Sequence, residues 1–319
     1  MKILFTSVGR RVELVQSFRA AADKLGIYLE IIGVDISDTA PALFFCDKKE
    51  KVCKINDVEY IPQLLGMCKK EQVDCLVPTI DTDLLVLAQN KEKFEEYGTK
   101  VLISAVDKIK ICRNKMLTAE YFISLGLNSP NPVDSVQKYK GDYPAFIKPK
   151  DGSSSINAYK VMNDEELKNY ATKIGNYIVQ EYIDGTEYTI DIFCDYQGNP
   201  VYITPRERLE IRAGEVLKTR ICQDDVMISE MKKLIENYKP CGQITVQLIK
   251  EKKTGKNFYI EINPRFGGGA PLSIKAGADS AQAVLKMLNG QRLNYNEKAA
   301  RDGAIYSRFD QSICINEDE

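Results

Sequence analysis

Between residues 2 and 104 apolar runs of strand length alternate with amphipathic stretches of helix length, and this alternation constrains the fold more than any other feature. KILFTSV (2–8), LEIIGVDI (29–36), DCLVPTI (74–80) and KVLIS (100–104) read as strands; 11–25, 61–71 and 84–97 carry helical periodicity. Strands separated by helices must be joined by crossovers, which implies a parallel sheet. From Asp107 the pattern changes. PAFIKPKDGSSSINAYKV, YIVQEYI, GTEYTIDIFCD, PVYITPRERLEI, GQITVQLIKE and FYIEINPRFGGG are strands joined by short turns, with few helices between them. That half reads as antiparallel sheet. One helix there announces its start: Asn163 precedes DEELKNYATKI, with Glu166 three residues on, a capping-box variant.

The turn TSVGRR after the first strand has one glycine where a dinucleotide-binding Rossmann fingerprint needs three, so NAD is not the expected ligand despite Asp35 after the second strand. A formal net charge of −1 gives no basic surplus for nucleic acid. No apolar run approaches a membrane span, and MKILFTSVGRR reads as a strand start rather than a signal peptide. Nine scattered cysteines without a C-x-x-C pair read as thiols in a reducing cytoplasm. The chain has no histidine, which excludes Ser-His-Asp and Cys-His mechanisms and leaves oxygen as the ligand for any metal.

The strand end FYIEINPRFGGG joins a carboxylate, an amide, a guanidinium and three glycines. The preceding strand GQITVQLIKE is separated from it by KKTGK. A three-residue loop 253–255, glycine last, would place 252 opposite 256 and Gln247 opposite Glu261. Asn263, two residues along, shares their face. Three oxygen donors suit Mg²⁺, which keeps several waters and shares its shell with phosphates. The same residues also fit a solvated face of an antiparallel sheet; the Asn-Pro-Arg-Gly-Gly-Gly sequel argues for a site.

EINPRFGGG, with FIKPKDGSSS and VQEYIDGTE upstream in the same order, resembles the ATP-grasp enzymes, in particular the carbamoyl phosphate synthetase large-subunit branch. The resemblance covers nearly the whole chain. It implies an N-terminal Rossmann-like α/β domain at 1–106 and a two-subdomain ATP-grasp fold of antiparallel sheets at 107–319, with a lid near 116–180. It also implies ATP as cosubstrate, with Mg²⁺ or Mn²⁺ on Gln247, Glu261 and Asn263. Lys115 and Lys148 match basic residues that contact ATP phosphates, and Gly152, Ser153, Ser154 and Ser155 match the phosphate loop. Glu181, Tyr182 and Ile183 match the hinge that reads adenine, and Glu187 matches the ribose acid, at a spacing one residue shorter than the family's. Arg265 falls where the family holds the transferring phosphoryl group. The glycines 267–269 read either as room for substrate beside the main chain or as a plain turn. In the basic stretch PRERLEIRAGEVLKTR, Lys218 and Arg220 are the candidates for the γ-phosphate or an anionic substrate; Arg206, Arg208 and Arg212 accompany them among interleaved glutamates.

A single ATP-grasp module resembles the carboxylate–amine ligases, which implies small-molecule acid and amine partners, with a homodimer as an option. Two rival readings share the ATP site: a small-molecule kinase, and a nucleotide-binding module without turnover.

Overall fold

The computed structural model describes residues 1–151 and 156–316. In the N-terminal part, β1 (Lys2–Thr6), α1 (Val12–Leu25), β2 (Glu30–Asp35), β3 (Lys48–Lys51), α2 (Tyr60–Glu71), β4 (Cys75–Pro78), α3 (Leu84–Gln89), α4 (Lys91–Glu95) and β5 (Lys100–Val101) follow one another. The five strands form a sheet in the order β3-β2-β1-β4-β5, and every ladder is parallel. The alternation foretold this. It did not foretell β3, whose sequence KKEK is fully exposed and has no apolar residue. An edge strand needs only one partner, and lysines there discourage pairing with other chains. The helix expected over 84–97 is interrupted at Asn90, whose side-chain Nδ2 donates to the Val86 carbonyl at 2.8 Å.

Both faces of this sheet are covered. Leu4, Ile32, Val34 and Leu76 point into one core. Ile3, Phe5, Ile31 and Val77 point into the other, which continues through Phe18 to Phe266, Val284 and Leu285 from the far end of the chain. One apolar cluster therefore spans the boundary expected near residue 106.

After α5 (Val106–Arg113) and α6 (Lys115–Ser124) comes a small antiparallel sheet of β6 (Ala145–Pro149), β7 (Tyr159–Val161) and β8 (Tyr177–Glu181), in the order β7-β6-β8. It is backed by α7 (Asp164–Ile174), whose cap is the expected one. Asn163 Oδ1 accepts from the Glu166 amide at 2.9 Å, and Glu166 reaches back to the amide of Met162 at 2.8 Å. Its buried core is small: Ala145, Ile147, Val161, Leu167, Ala171 and Val179.

The third sheet comprises β9 (Gly185–Cys194), β10 (Pro200–Arg212), β11 (Glu215–Ile221), β12 (Gly242–Glu251), β13 (Asn257–Asn263) and β14 (Ile305–Ser307), in the order β13-β12-β9-β10-β11-β14. The elements α8 (Asp225–Tyr238), α9 (Ala270–Ala276) and α10 (Ser280–Leu288) complete the chain. One face of this sheet is apolar: Ile190, Ile192, Ile244 and Val246 pack on Met227, Met231, Leu234 and Ile235 of α8. The opposite face carries Thr189, Asp191, Arg206, Thr245 and Asn263, polar yet nearly all buried. The arrangement is a parallel-sheet α/β part followed by two antiparallel sheets, as expected.

Candidate active site

The hairpin β12–β13 places Gln247 opposite Glu261 and Thr245 opposite Asn263. The pairing is the expected one, reached by a different route. At the tip Glu251 donates to the Lys256 carbonyl at 2.9 Å, so the loop is 252–255 and one residue longer than expected. Carried down the ladder, that closure would set Gln247 against Ile260 and turn Glu261 toward the α8 core, where an unpaired carboxylate is costly. A β-bulge between the Gln247 and Leu248 pairs inserts Ile260 as an extra residue and restores Glu261 to the polar face.

That face and the small sheet β6–β8 enclose a cleft of about 700 Å³. Lys115, Lys148, Glu181, Tyr182, Ile183, Glu187, Gln247 and Glu261 all line it. Asn263 lies in an adjoining recess with Glu261, Lys115, Arg113 and Asp81. Gly152, Ser153, Ser154 and Ser155 lie outside the described residues. Apolar surface from Phe146, Ile211 and Ile249 completes the cleft, a composition suited to a flat aromatic base beside charged groups.

The electrostatics are organised around Glu261. Lys148 is 7% exposed, and burial pushes its ammonium down to about 8, opposed by the Glu261 charge. Burial also lowers Lys115, again opposed by Glu261. The cleft lining sets Lys115, Lys148 and Arg208 against Asp151, Glu181, Glu187 and Glu261, and its two desolvated ammonium groups are the cations suited to phosphate oxygens.

Sequence reading ranked the arginines of β10 and the residues of β11 differently from their placement. Arg208, not singled out, enters the cleft: Nη1 donates to Gln247 Oε1 at 3.2 Å, and Nε lies 3.7 Å from Glu187. Lys218 and Arg220 lie outside the cleft lining, each with a carboxylate neighbour, Glu210 at 3.1 Å and Glu207 at 3.7 Å. The cause is strand alternation. Arg208 pairs with Thr219, so Lys218 and Arg220, the neighbours of Thr219, project from the other face. Arg206 is held inside the sheet by Asp191 at 2.8 Å, and Ser273 Oγ donates to the same carboxylate at 2.7 Å.

Arg265 donates twice to Asp81, at 2.9 and 2.5 Å. Asp81 follows β4 of the parallel sheet and was missed; nothing local in PTIDTD marks it. The glycine run is bare for a reason other than substrate access. A Cβ on Gly268 would lie 2.9 Å from Arg11 Nη1, and one on Gly269 would lie 2.5 Å from Arg206 Nη2. Side chains of the protein already fill that space.

The oxygen donors Gln247, Glu261 and Asn263 fit a hard divalent cation, with the Gln247 oxygen shared with Arg208. Among the described residues no set of three histidine, cysteine or acidic side chains offers another metal position. No helix of the described residues is long and apolar enough to cross a membrane. All nine cysteines are free thiols.

Comparison with known proteins agrees with this architecture. Residues 3–102 match the family described as PylC-like, N-terminal domain, and residues 173–310 match ATP-grasp in the biosynthetic pathway with Ter operon. The carbamoyl phosphate synthase large chain of Thermotoga sp. (strain RQ2) is 24% identical over 249 residues, which is 69% of this chain and 22% of that one. The chain thus spans about a fifth of the length of that relative. The 3-methyl-D-ornithine–L-lysine ligase of Methanosarcina acetivorans is 26% identical over 181 residues, covering 57% of this chain and 46% of the ligase. Among solved structures, N5-carboxyaminoimidazole synthetase from Staphylococcus aureus complexed with ADP superposes with a TM-score of 0.74 at 16% identity, covering 92% of this chain and 78% of that one. In sequence and in fold the chain is similar to ATP-grasp proteins, and in particular to the carbamoyl phosphate synthase large chain.

Proposed function

We propose that the protein is an ADP-forming carboxylate–amine ligase that uses ATP with Mg²⁺ or Mn²⁺. The observation that carries this reading is the single cleft lined by both lysines, the hinge 181–183, Glu187, Gln247 and Glu261. Its relatives with ligase names point the same way. Lys115 and Lys148 would hold the phosphates, the hinge backbone the adenine, and Glu187 the ribose. A cation on Gln247, Glu261 and Asn263 would neutralise phosphate charge. The small sheet β6–β8, with its slight core, would serve as the lid over the nucleotide.

In the reaction a carboxylate oxygen of the acid attacks the γ-phosphorus. The bond to the bridging oxygen breaks, and ADP leaves with that electron pair. The amine nitrogen then attacks the acyl carbon, the carbon–oxygen bond to phosphate breaks, and the amine gives up its proton as the amide forms. Arg265 would hold the transferring phosphoryl group through the Nη hydrogens that Asp81 and the Phe266 carbonyl leave free, with Asp81 fixing its orientation. The residues supply position and charge rather than proton transfer, which is consistent with a chain that lacks histidine.

Hydroxylamine tests the intermediate. Incubated with ATP, Mg²⁺ and a panel of amino and sugar acids, the protein should convert its acid into a hydroxamate detectable by mass. Arg265→Lys keeps the charge but loses the fork, and should lower trapping by about 10²-fold while ATP affinity changes little. ATP consumption that yields a stable phosphorylated alcohol and no hydroxamate would make the protein a kinase.

A further inference from the structure

A second concentration of charge lies beside Arg265, outside the nucleotide cleft, and one member of it is unsatisfied. Arg11 caps α1 in the N-terminal part, and its side chain is 18% exposed. Its Nη1 stands 3.6 Å from Glu215, its one ion partner, and among the described residues its guanidinium makes no hydrogen bond. Its neighbours are already engaged. Arg265 is taken by Asp81 through two hydrogen bonds. Arg308 donates to Glu215 and to the Val216 carbonyl, each at 3.1 Å. Glu13 is divided between Lys275 and Arg308. Four cations therefore share the three carboxylates Asp81, Glu215 and Glu13. Burial, with Arg265 beside it, pushes the Arg11 guanidinium below its ordinary value, as a cation short of anions should be.

An arginine fork with free donors, kept in place by packing beside Gly268, is built to receive an anion with two oxygens. The position is continuous with the chemistry. Arg11 lies within reach of the charges of Arg265 and Asp81, and Asp81, the partner of Arg265, lines the recess that holds Lys115, Glu261 and Asn263.

We propose that Arg11 docks an anionic group of the acid substrate, a carboxylate or a phosphate ester, so that the N-terminal α/β part selects which acid reaches Arg265. The word substrate here rests on the ligase reading; the anion site does not. Arg11 is a binding residue in this scheme, and the nucleotide site works without it.

Calorimetry on the full chain in the presence of ADP and Mg²⁺ tests this, with malonate and glycerol 3-phosphate as probes. At least one probe should bind the wild type, and Arg11→Gln should weaken it about tenfold or more, while ADP affinity stays within about twofold. Arg11→Lys, which keeps charge but loses the fork, should fall between the two. Malonate binding alone assigns a carboxylate, and glycerol phosphate alone a phosphate ester. Binding of neither probe, or equal probe affinity in wild type and Arg11→Gln, overturns the proposal. Should Arg11→Gln fail to fold, Arg11→Lys decides: probe affinity equal to wild type overturns it. Arg11-dependent binding without hydroxamate formation would keep the anion site and remove the ligase reading.

Discussion

The five-stranded parallel sheet is apolar on both faces, whereas the six-stranded antiparallel sheet is apolar on one and largely polar on the other. In β1, neighbouring residues Ile3, Leu4 and Phe5 are all 0% exposed, because helices pack on each side. In β12, Val246 packs on α8 while Gln247, the next residue, faces the cleft. The consequence is a division of labour. A sheet with two apolar faces has no room for chemistry along its length and offers functional groups only at its strand ends, as with Arg11 and Asp81. A sheet with one polar face can carry Gln247, Glu261 and Asn263 side by side.

The comparison breaks most directly at Glu261. Glu261→Ala should lower turnover by about 10³-fold, since Lys148, Lys115 and any cation lose their common carboxylate. Its unfolding free energy should stay within about 1 kcal/mol of wild type in urea titrations. A loss of fold together with activity would mean that the polar face is structural.

Leu4→Ala tests the other sheet. Leu4 is fully buried in the core with Ile32 and Leu76, so truncation should cost about 2–5 kcal/mol of stability. Activity per folded molecule should be unchanged below the shifted melting transition. A specific loss of turnover would show that the parallel sheet takes part in catalysis through more than its strand ends.

The smallest effect sharpens the boundary between the two roles. Asp83, at the end of the parallel sheet, is fully buried, and its Oδ1 has no hydrogen-bond partner. Thr6 donates to its Oδ2 at 2.8 Å. Burial pushes its carboxyl up to about 6 from an ordinary 3.8. Between about pH 4 and about pH 6 the folded chain retains a proton that the unfolded chain has released, so this group's stabilising contribution falls as pH rises through that window. The loss should amount to about 2–3 kcal/mol, and Asp83→Asn should remove it from urea titrations at about pH 4.5 and 7. An equal pH slope in both proteins would mean that Asp83 is ionised throughout.

Much of this molecule was written locally. The alternation of apolar runs with helical stretches specified the parallel sheet, because crossover connections admit few other solutions. The two-residue spacing of Glu261 and Asn263 specified that they share a face with a partner on β12. The cap at Asn163 was likewise legible, since capping depends on residues three apart. What lay beyond local reading depended on distant chain. The bulge at Ile260 follows from the need to keep Glu261 off the α8 core, a demand that KKTGK alone does not express. Arg208 and the pair Lys218 and Arg220 are chemically alike; only the register of β10 on β11 sends one into the cleft and the others out. Asp81 and Arg11 lie on loops of the first hundred residues and meet Arg265 and Glu215 respectively only when the two halves pack into one core. Sequence period decides which way a side chain points from its own strand; tertiary packing decides what it then faces.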